Sequence, residues 1–268
     1  MQPLYTADNC HPAYELRWSL ALFSNRQMPP AADWIEQLRM AVEPDGVRVL
    51  EHTFRSPTTL LFLLSTKSHA SPKGIVKSVK GRLQHAVRAT HPELFKRNFS
   101  LTGIGEVRRE AVEAYVSQQL GHHRMADQQV QEPLADFQLC FPEVDLSEAR
   151  FSTHGRYLCN LHLVLVHNER WCDVCYERLA ITRDMVLRAA RKKGHSLSRL
   201  AVLPDHLHVT LGFSWNEAPA DVALGYLNNL AYAHGMKPLF QFGYFVGTFG
   251  EYDLDAVRRN LAISSSSS

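Results

Sequence analysis

The chain has 268 residues, of which 45% are hydrophobic and 21% are charged. These proportions exclude a disordered, collagen-like or membrane-embedded protein and fit a chain with one large or two small domains. With 29 Lys and Arg against 27 Asp and Glu the net charge is only +2, so a nucleic-acid surface has to come from local clustering of basic residues.

The first half of the chain alternates between strand-like and helix-like hydrophobic patterns. Period-two alternation predicts strands over 14–23, 47–54, 59–64 and 99–104. Helical spacing predicts helices over 31–42, 72–90 and about 107–122. Ser71 and Pro72 support the start of the second helix, because serine is a favoured N-cap and proline fits the first helical turn.

The second half repeats this order. Its predicted strands are 158–166, 198–203, 206–213 and 242–249, and its predicted helices are 172–193, 219–234 and 253–263. Each half therefore reads strand, helix, strand, strand, helix, strand, which is the ferredoxin-like order. We predict an α+β protein with two tandem ferredoxin-like (RRM-like) domains.

An internal repeat supports this division. Residues 99–116 (FSLTGIGEVRREAVEAYV) align without gaps with residues 244–261 (YFVGTFGEYDLDAVRRNL), and both contain a Gly-Glu pair followed by Ala-Val. Two further pairs of segments repeat in the same order at similar offsets, namely those around Pro57 and Pro204 and the strands from Tyr14 and Tyr157. A constant order at a nearly constant offset indicates an internally duplicated domain.

We predict a first domain over 1–125, a linker over 126–155 that packs on the surface, a second domain over 156–263 and a serine tail over 264–268. The sequence has no basic segment followed by an apolar one at its start, and no apolar run reaches the roughly 20 residues that span a bilayer. The five cysteines are odd in number and unevenly spaced, unlike a secreted disulfide framework. We therefore expect a cytoplasmic protein without a membrane partner.

Two histidines mark one candidate site. His206 and His208 lie two residues apart on a predicted strand, so their rings point to the same face, as two ligands of one metal require. Such a pair also arises by chance among 14 histidines, and then the rings are ordinary core or surface groups. Asp205 directly precedes the pair and would orient one ring by accepting a hydrogen bond.

A second candidate pair lies on the last helix of the first half. Tyr115 and Gln119 are four residues apart and share one helix face, so both side chains can reach one centre. An aromatic residue at helical spacing also fits simple core packing. A phenol is, however, a covalent nucleophile, which conserves the energy of a broken phosphodiester in an ester to the protein.

Four segments together resemble the single-tyrosine HUH transposases of bacterial insertion sequences, especially their REP-associated relatives. The segments are VKSVKGRLQ (76–84), YVSQQLGHH (115–123), LPDHLHVTL (203–211) and GYFVGTFG (243–250). The resemblance implies HUH domains with ferredoxin-like cores, in which His206, His208 and Gln119 hold Mg²⁺ or Mn²⁺. It also implies that Tyr115 attacks single-stranded DNA beside a hairpin, and that the tyrosine helix of one subunit completes the site of the other.

The two halves depart from this pattern in complementary ways. Where the second half has His206 and His208, the first half has Thr59 and Leu61; where the first half has Tyr115 and Gln119, the second has Asn260 and Ser264. Neither half keeps both the histidine pair and the tyrosine–glutamine pair, but the chain as a whole keeps one of each. We predict a monomeric pseudo-dimer with one composite site and one degenerate site; the alternative is that both halves have decayed into a binding protein.

Basic residues concentrate in the first half. Between residues 71 and 97 only Glu93 opposes seven of them: Lys73, Lys77, Lys80, Arg82, Arg88, Lys96 and Arg97. The matching stretch of the second half has one lysine and two acids. The cluster fits a surface that binds phosphates of nucleic acid, which supplies affinity and salt dependence rather than sequence specificity; a solvated helix face is the alternative.

These observations predict a metal-dependent nickase or strand transferase that acts on single-stranded DNA near hairpins through a 5′-phosphotyrosine, as a domesticated transposase. The main alternative is a catalytically inactive protein that binds hairpin or single-stranded nucleic acid, with further protein partners in a larger assembly. A ferredoxin-like RNA-binding protein is less favoured, because no pair of stacking aromatics is evident on the predicted central strands.

Overall fold

A computed structural model describes residues 2–122, 128–168 and 173–265, without the side chains of residues 122, 128, 130 and 260–265. The strands are β1 (His11–Glu15), β2 (Arg17–Ser24), β3 (Val47–Ser56), β4 (Thr59–Thr66), β5 (Phe95–Ile104), β6 (Gln138–Cys140), β7 (Arg150–Phe151), β8 (Gly155–Leu158), β9 (Asn160–Val166), β10 (Ser196–Val202), β11 (His206–Gly212) and β12 (Gly243–Phe249). The helices are α1 (Ile35–Val42), α2 (Pro72–Val87), α3 (Arg109–Ser117), α4 (Gln119–His122), α5 (Gln128–Gln131), α6 (Tyr176–Lys193), α7 (Pro219–Ala233) and α8 (Leu254–Ser265).

The strands form two six-stranded mixed sheets. One has the order β3-β4-β2-β5-β8-β7, and the other has the order β1-β12-β9-β11-β10-β6. Apart from the edge strands β6 and β7, the two orders match strand for strand under the internal repeat. This arrangement confirms the predicted α+β class, and each half contains the ferredoxin-like order of elements.

The two halves exchange one strand each. β1 precedes the first ferredoxin-like unit but pairs in parallel with β12 of the second, and β8 precedes the second unit but pairs in parallel with β5 of the first. Neither sheet is therefore made from one half alone. The domain boundaries at 125 and 156 stay predictions.

Several predicted elements differ in extent from those observed. The strands expected over 14–23 and 158–166 are each divided in two, because period-two alternation continues through a point where the chain passes from one sheet to the other. The segment expected to be a linker contributes β6 and β7, which extend the edges of both sheets. The helix expected from 172 begins at Tyr176, and the helix expected from 31 begins at Ile35 after a short 3₁₀ turn.

Each sheet is covered on both faces. One large apolar core joins the inner faces of the sheets to their own helices and includes the buried Trp34, Phe62, Leu163 and Tyr226. The other face is covered by a helix of the opposite half, since α3 packs on β10 and β11 while α8 packs on β3. No helix among the described residues is long and apolar enough to cross a membrane.

The repeated glycines explain how these helices reach the opposite half. A Cβ on Gly250 would lie 2.3 Å from the carbonyl oxygen of Gly103, so only glycine allows the backbones to approach this closely. The N–H of Arg109, the first residue of α3, donates to the Gly250 carbonyl at 2.8 Å. In the matching position the N–H of Leu254 donates to the Gly105 carbonyl at 3.0 Å. Both helices therefore begin on the backbone of the other half.

Candidate active site

The predicted histidine pair lies on the face of its sheet that α3 covers. His206 and His208 extend from β11 with ring centroids 4.8 Å apart. The His208 side chain is almost fully buried, whereas His206 keeps part of its surface exposed. The hydrogen-bonded neighbours β9 and β10 on either side of β11 hold this face rigidly.

Tyr115 is brought to the histidines by α3. Its ring centroid lies 5.6 Å from that of His208, with the two planes nearly perpendicular, and 6.2 Å from that of His162. The tyrosine side chain is 47% exposed, so solvent and ligands have access to it. A tyrosine from the first half and a histidine pair from the second thus share one place in the fold.

Gln119 lies one turn beyond Tyr115, at the start of α4, and is fully buried. Its Nε2 donates to the carbonyl oxygen of Tyr115 at 3.1 Å. Among the described residues its Oε1 has no hydrogen-bond partner. An unpartnered buried amide oxygen costs free energy, so this atom is an available ligand for a cation or a donor group.

Asp205 lies in the turn between β10 and β11, where its Oδ1 is 2.6 Å from Nδ1 of His206. A carboxylate in this position favours a proton on Nδ1. The lone pair of His206 is then on Nε2, the arrangement in which histidine binds a metal. Asp205 thus lies against one of the two histidines, and its role in orienting that ring stays a prediction.

The structure adds a third histidine that the sequence analysis did not select. His162 on β9 stacks on His208 at 5.1 Å, and its Nε2 lies 2.9 Å from His208 Nδ1. Its removal from water lowers the pKa of His162 to about 4, so this ring is neutral at pH 7. In the sequence His162 is the single polar residue within the apolar run LHLVLV. Its place beside His208 follows only from the strand pairing, which the sequence pattern does not show.

The lowered pKa of His162 predicts a loss of stability in acid. Between about pH 6.5 and pH 4 the unfolded chain binds a proton that the folded chain does not, so the free energy of unfolding falls as the pH falls. We expect roughly 1 to 3 kcal/mol of such loss from this group. Thermal melts at pH 7 and pH 4.5 measure it: His162→Gln should show a smaller drop than wild type, whereas the exposed control His11→Gln should not. Equal drops in His162→Gln and wild type would contradict the assignment.

A buried charge network fixes α3 beneath the site. Glu113 is 6% exposed and lies 3.1 Å from Arg109 on its own helix and 4.0 Å from Arg199 on β10. Arg109 also pairs with Glu251 at 2.6 Å, which joins the network to the other half. Because Tyr115 is two residues beyond Glu113, this network sets its position. The sequence pattern does not reveal this network, because Arg199 is distant from Glu113 along the chain.

In the other sheet, the positions that correspond to the histidine pair under the internal repeat contain other residues. Leu61 on β4, which corresponds to His208, packs against an apolar cluster that includes Leu63 and Leu254, and Thr59 begins the same strand. The side chains of Asn260 and Ser264 lie outside the described residues. With neither imidazole on the strand, this face offers no histidine ligand at either matching position.

The ion pair between helix and sheet also occurs at this corresponding position, but here the base is on the helix and the acid is on the strand. Arg258 on α8 pairs with Glu51 on β3 at 2.8 Å, and these residues match Glu113 and Arg199 under the repeat. Docking either helix on the sheet of its own half would bring like charges together. The exchange therefore favours α3 on the second sheet and α8 on the first.

The basic cluster lies on α2 and the start of β5. Five of its members, Lys73, Lys77, Lys80, Lys96 and Arg97, line an open groove that shares no residue with the tyrosine and histidine cluster. Lys80 donates to the backbone carbonyls of Lys96 and Arg97, and burial lowers its pKa. Arg82 pairs with Asp45 at 3.4 Å outside the groove, and Arg88 is exposed just after α2.

Among the described residues no group of three or more His, Cys, Asp and Glu side chains is arranged to hold a metal ion. The predicted set is of another kind, because it combines two imidazoles with the amide oxygen of Gln119. The unpartnered Oε1 of Gln119 and the contact between His206 Nδ1 and Asp205 are compatible with a divalent cation. Imidazole nitrogens favour transition metals and an amide oxygen favours harder cations, so these donor types admit a divalent cation without selecting one, and Mg²⁺ or Mn²⁺ stays a prediction.

No protein-family model matches the sequence, and no curated protein matches it. Among solved structures, a REP-associated tyrosine transposase bound to a REP hairpin aligns over 38% of this chain and 62% of its own, with 12% identity and a TM-score of 0.31. A candidate transposase from Deinococcus radiodurans aligns over 39% and 89%, with 22% identity and a TM-score of 0.30. An unknown protein from Galdieria sulphuraria aligns over 87% and 97%, with 9% identity and a TM-score of 0.22. These three TM-scores all lie below 0.5, so any function for this chain has to be inferred from the geometry of its site.

Proposed function

We propose that the protein cleaves and rejoins single-stranded DNA next to hairpins, using one composite active site per chain. The observation that carries this proposal is the contact of Tyr115 with His208, at 5.6 Å between ring centroids, across the boundary between the two halves. A half-exposed phenol beside a histidine pair, of which His208 is buried, is the arrangement expected of a nucleophile next to a site for a scissile phosphate.

In the proposed reaction the phenolic oxygen of Tyr115 forms a bond to the phosphorus, and the bond between phosphorus and the 3′-oxygen breaks. The phenolic proton passes to water, and the released 3′-oxygen takes up a proton. The product is a 5′-phosphotyrosine with a free 3′-OH. Because the phosphodiester energy is conserved in this ester, attack by a 3′-OH reverses the step and joins strands.

His206, His208 and Gln119 would hold Mg²⁺ or Mn²⁺, which supplies positive charge for the phosphate oxygens in the transition state. Asp205 and His162 act on these ligands rather than on the DNA. Each lies within hydrogen-bond distance of Nδ1 of one histidine and orients that ring; with the proton on that Nδ1, Nε2 of the same ring would hold the cation.

One composite site per chain limits what a single molecule can do. With Leu61 and Thr59 in the matching positions, the second place in the fold has no histidines for a metal. A single molecule then cleaves one strand once, and excision of a DNA element requires two molecules. This favours a domesticated nicking or strand-transfer role.

The test is incubation of the protein with end-labelled hairpin oligonucleotides carrying single-stranded flanks and Mn²⁺, followed by a denaturing gel. We expect a shifted covalent band, and mass spectrometry of its peptides should place the nucleotide on Tyr115. Binding without any adduct over a broad panel of hairpins would overturn the proposal and leave a nucleic-acid-binding protein of the same fold.

A further inference from the structure

The basic groove on the first half is open and has its own chemistry. It has a volume of 640 Å³ and lies between α2, the start of β5, the turn at 152–154 and Trp215 of the second half. None of the residues that line it is acidic, whereas five are lysine or arginine. Such a groove selects an anionic ligand, and its length along α2 suits a polymer rather than a single small ion.

Aromatic rings form one end of the groove. Trp215 is partly exposed and stacks on Phe99 at 5.6 Å and on Tyr157 at 5.9 Å, with interplanar angles of 23° and 22°. Nζ of Lys73 lies 5.6 Å from the centroid of the Trp215 ring. A set of nearly parallel rings beside lysine amines is what a nucleobase and its phosphate require, because bases stack on aromatic faces and phosphates pair with the amines.

The matching surface of the second half is already filled. There Tyr5, 1% exposed, lies against α7, where its backbone N–H donates to Oδ1 of Asn228 at 2.9 Å and its carbonyl accepts from Nδ2 of Asn228 at 2.7 Å. Its hydroxyl donates to the carbonyl of Phe240 at 2.7 Å. Under the repeat, Asn228 corresponds to Gly81, which lines the open groove. The same surface thus accepts the segment that carries Tyr5 in one half and stays open and basic in the other.

We propose that this groove binds an unpaired stretch of single-stranded DNA, with one base stacked against Trp215 and the backbone phosphates along Lys73, Lys77 and Lys96. The proposal builds on the proposed function only in taking DNA as the ligand. It assigns a binding site separate from the cluster of Tyr115 and His208.

The test measures binding of a labelled oligothymidylate by fluorescence anisotropy at several salt concentrations, with every variant carrying Tyr115→Phe so that cleavage plays no part. We expect Trp215→Leu to weaken binding about tenfold and Trp215→Phe to restore most of it. Lys77→Ala should weaken binding about threefold and reduce the slope against log salt by about 1. Matched controls are Tyr232→Leu, at an exposed aromatic on α7, and Lys192→Ala on α6, both with binding unchanged.

A photo-crosslink from 5-iodouracil in the oligonucleotide to Trp215 would locate the base directly. Unchanged affinity of Trp215→Leu in a variant that melts like wild type would overturn the proposal. Tighter binding of a polyglutamate peptide, indifferent to Trp215, would also overturn it by making the groove a site for acidic protein. Absence of a covalent adduct from the protein with Tyr115 intact, together with binding that depends on Trp215, would refute the proposed reaction but leave the groove assigned.

Discussion

Replacing Tyr115 by phenylalanine is expected to abolish the covalent adduct while hairpin binding stays within about twofold of wild type. The substitution removes only the hydroxyl, so the ring keeps its edge contact with His208 and the helix keeps its packing. We expect at least a thousandfold loss of adduct formation, because no other described phenol lies against the histidine pair. Initial rates on denaturing gels measure this loss, and anisotropy measures the binding.

A matched control separates a nucleophile from a general effect of losing a phenol. Tyr252→Phe removes the hydroxyl of an exposed tyrosine at 59% exposure and should leave the adduct unchanged. An adduct that forms in Tyr115→Phe at the wild-type rate would eliminate Tyr115 as the attacking group. Mapping of that adduct to another residue would identify the true nucleophile.

Reversing the charge of Glu113 is expected to destabilise the fold and to inactivate the site together. Glu113→Arg places a third cation beside Arg109 and Arg199 in a buried position, and breaking a buried pair of this kind costs about 3 to 5 kcal/mol. In a chain of this size such a loss lowers the melting temperature by about 10 °C. Because α3 carries Tyr115, adduct formation should fall more than tenfold in parallel.

The matching ion pair between α8 and β3 supplies the control for this prediction and the charge arrangement for its rescue. Arg258→Glu reverses the matching pair with Glu51, whose side chains are 48% and 37% exposed, and should cost no more than about 1 kcal/mol. Adding Arg199→Glu to Glu113→Arg recreates that exchanged pair and should restore at least half of the lost stability. A Glu113→Arg variant that melts like wild type would show that the network does not hold α3.

The fold class was accessible from the sequence, and so was the hypothesis of a composite site. Hydrophobic periodicity gave the order of elements, and the repeat made the complementary losses at Thr59, Leu61, Asn260 and Ser264 visible. These inferences need only the hydrophobic pattern of single elements and the comparison of repeated positions, because neither depends on contacts between distant elements.

Features that depend on contacts between elements distant in the sequence could not be predicted from the local pattern. The exchange of β1 and β8 is set by backbone pairing across the two sheets, which period-two alternation does not encode. The proximity of His162 to His208 results from the hydrogen bonding of β9 to β11. Trp215 follows β11 in the second half, yet its side chain lines one end of the groove along α2 of the first half. Contacts between residues distant in sequence decide all three.

A mixing experiment tests whether one chain contains one complete site. Tyr115→Phe and His208→Leu, the latter copying Leu61 of the first half, are purified separately and then combined with labelled hairpin DNA and Mn²⁺. We expect no covalent band from either variant or from the mixture, because each chain pairs its own α3 with its own β11. Return of the band in the mixture would contradict this account and would show that the tyrosine helix acts on the histidines of a second chain.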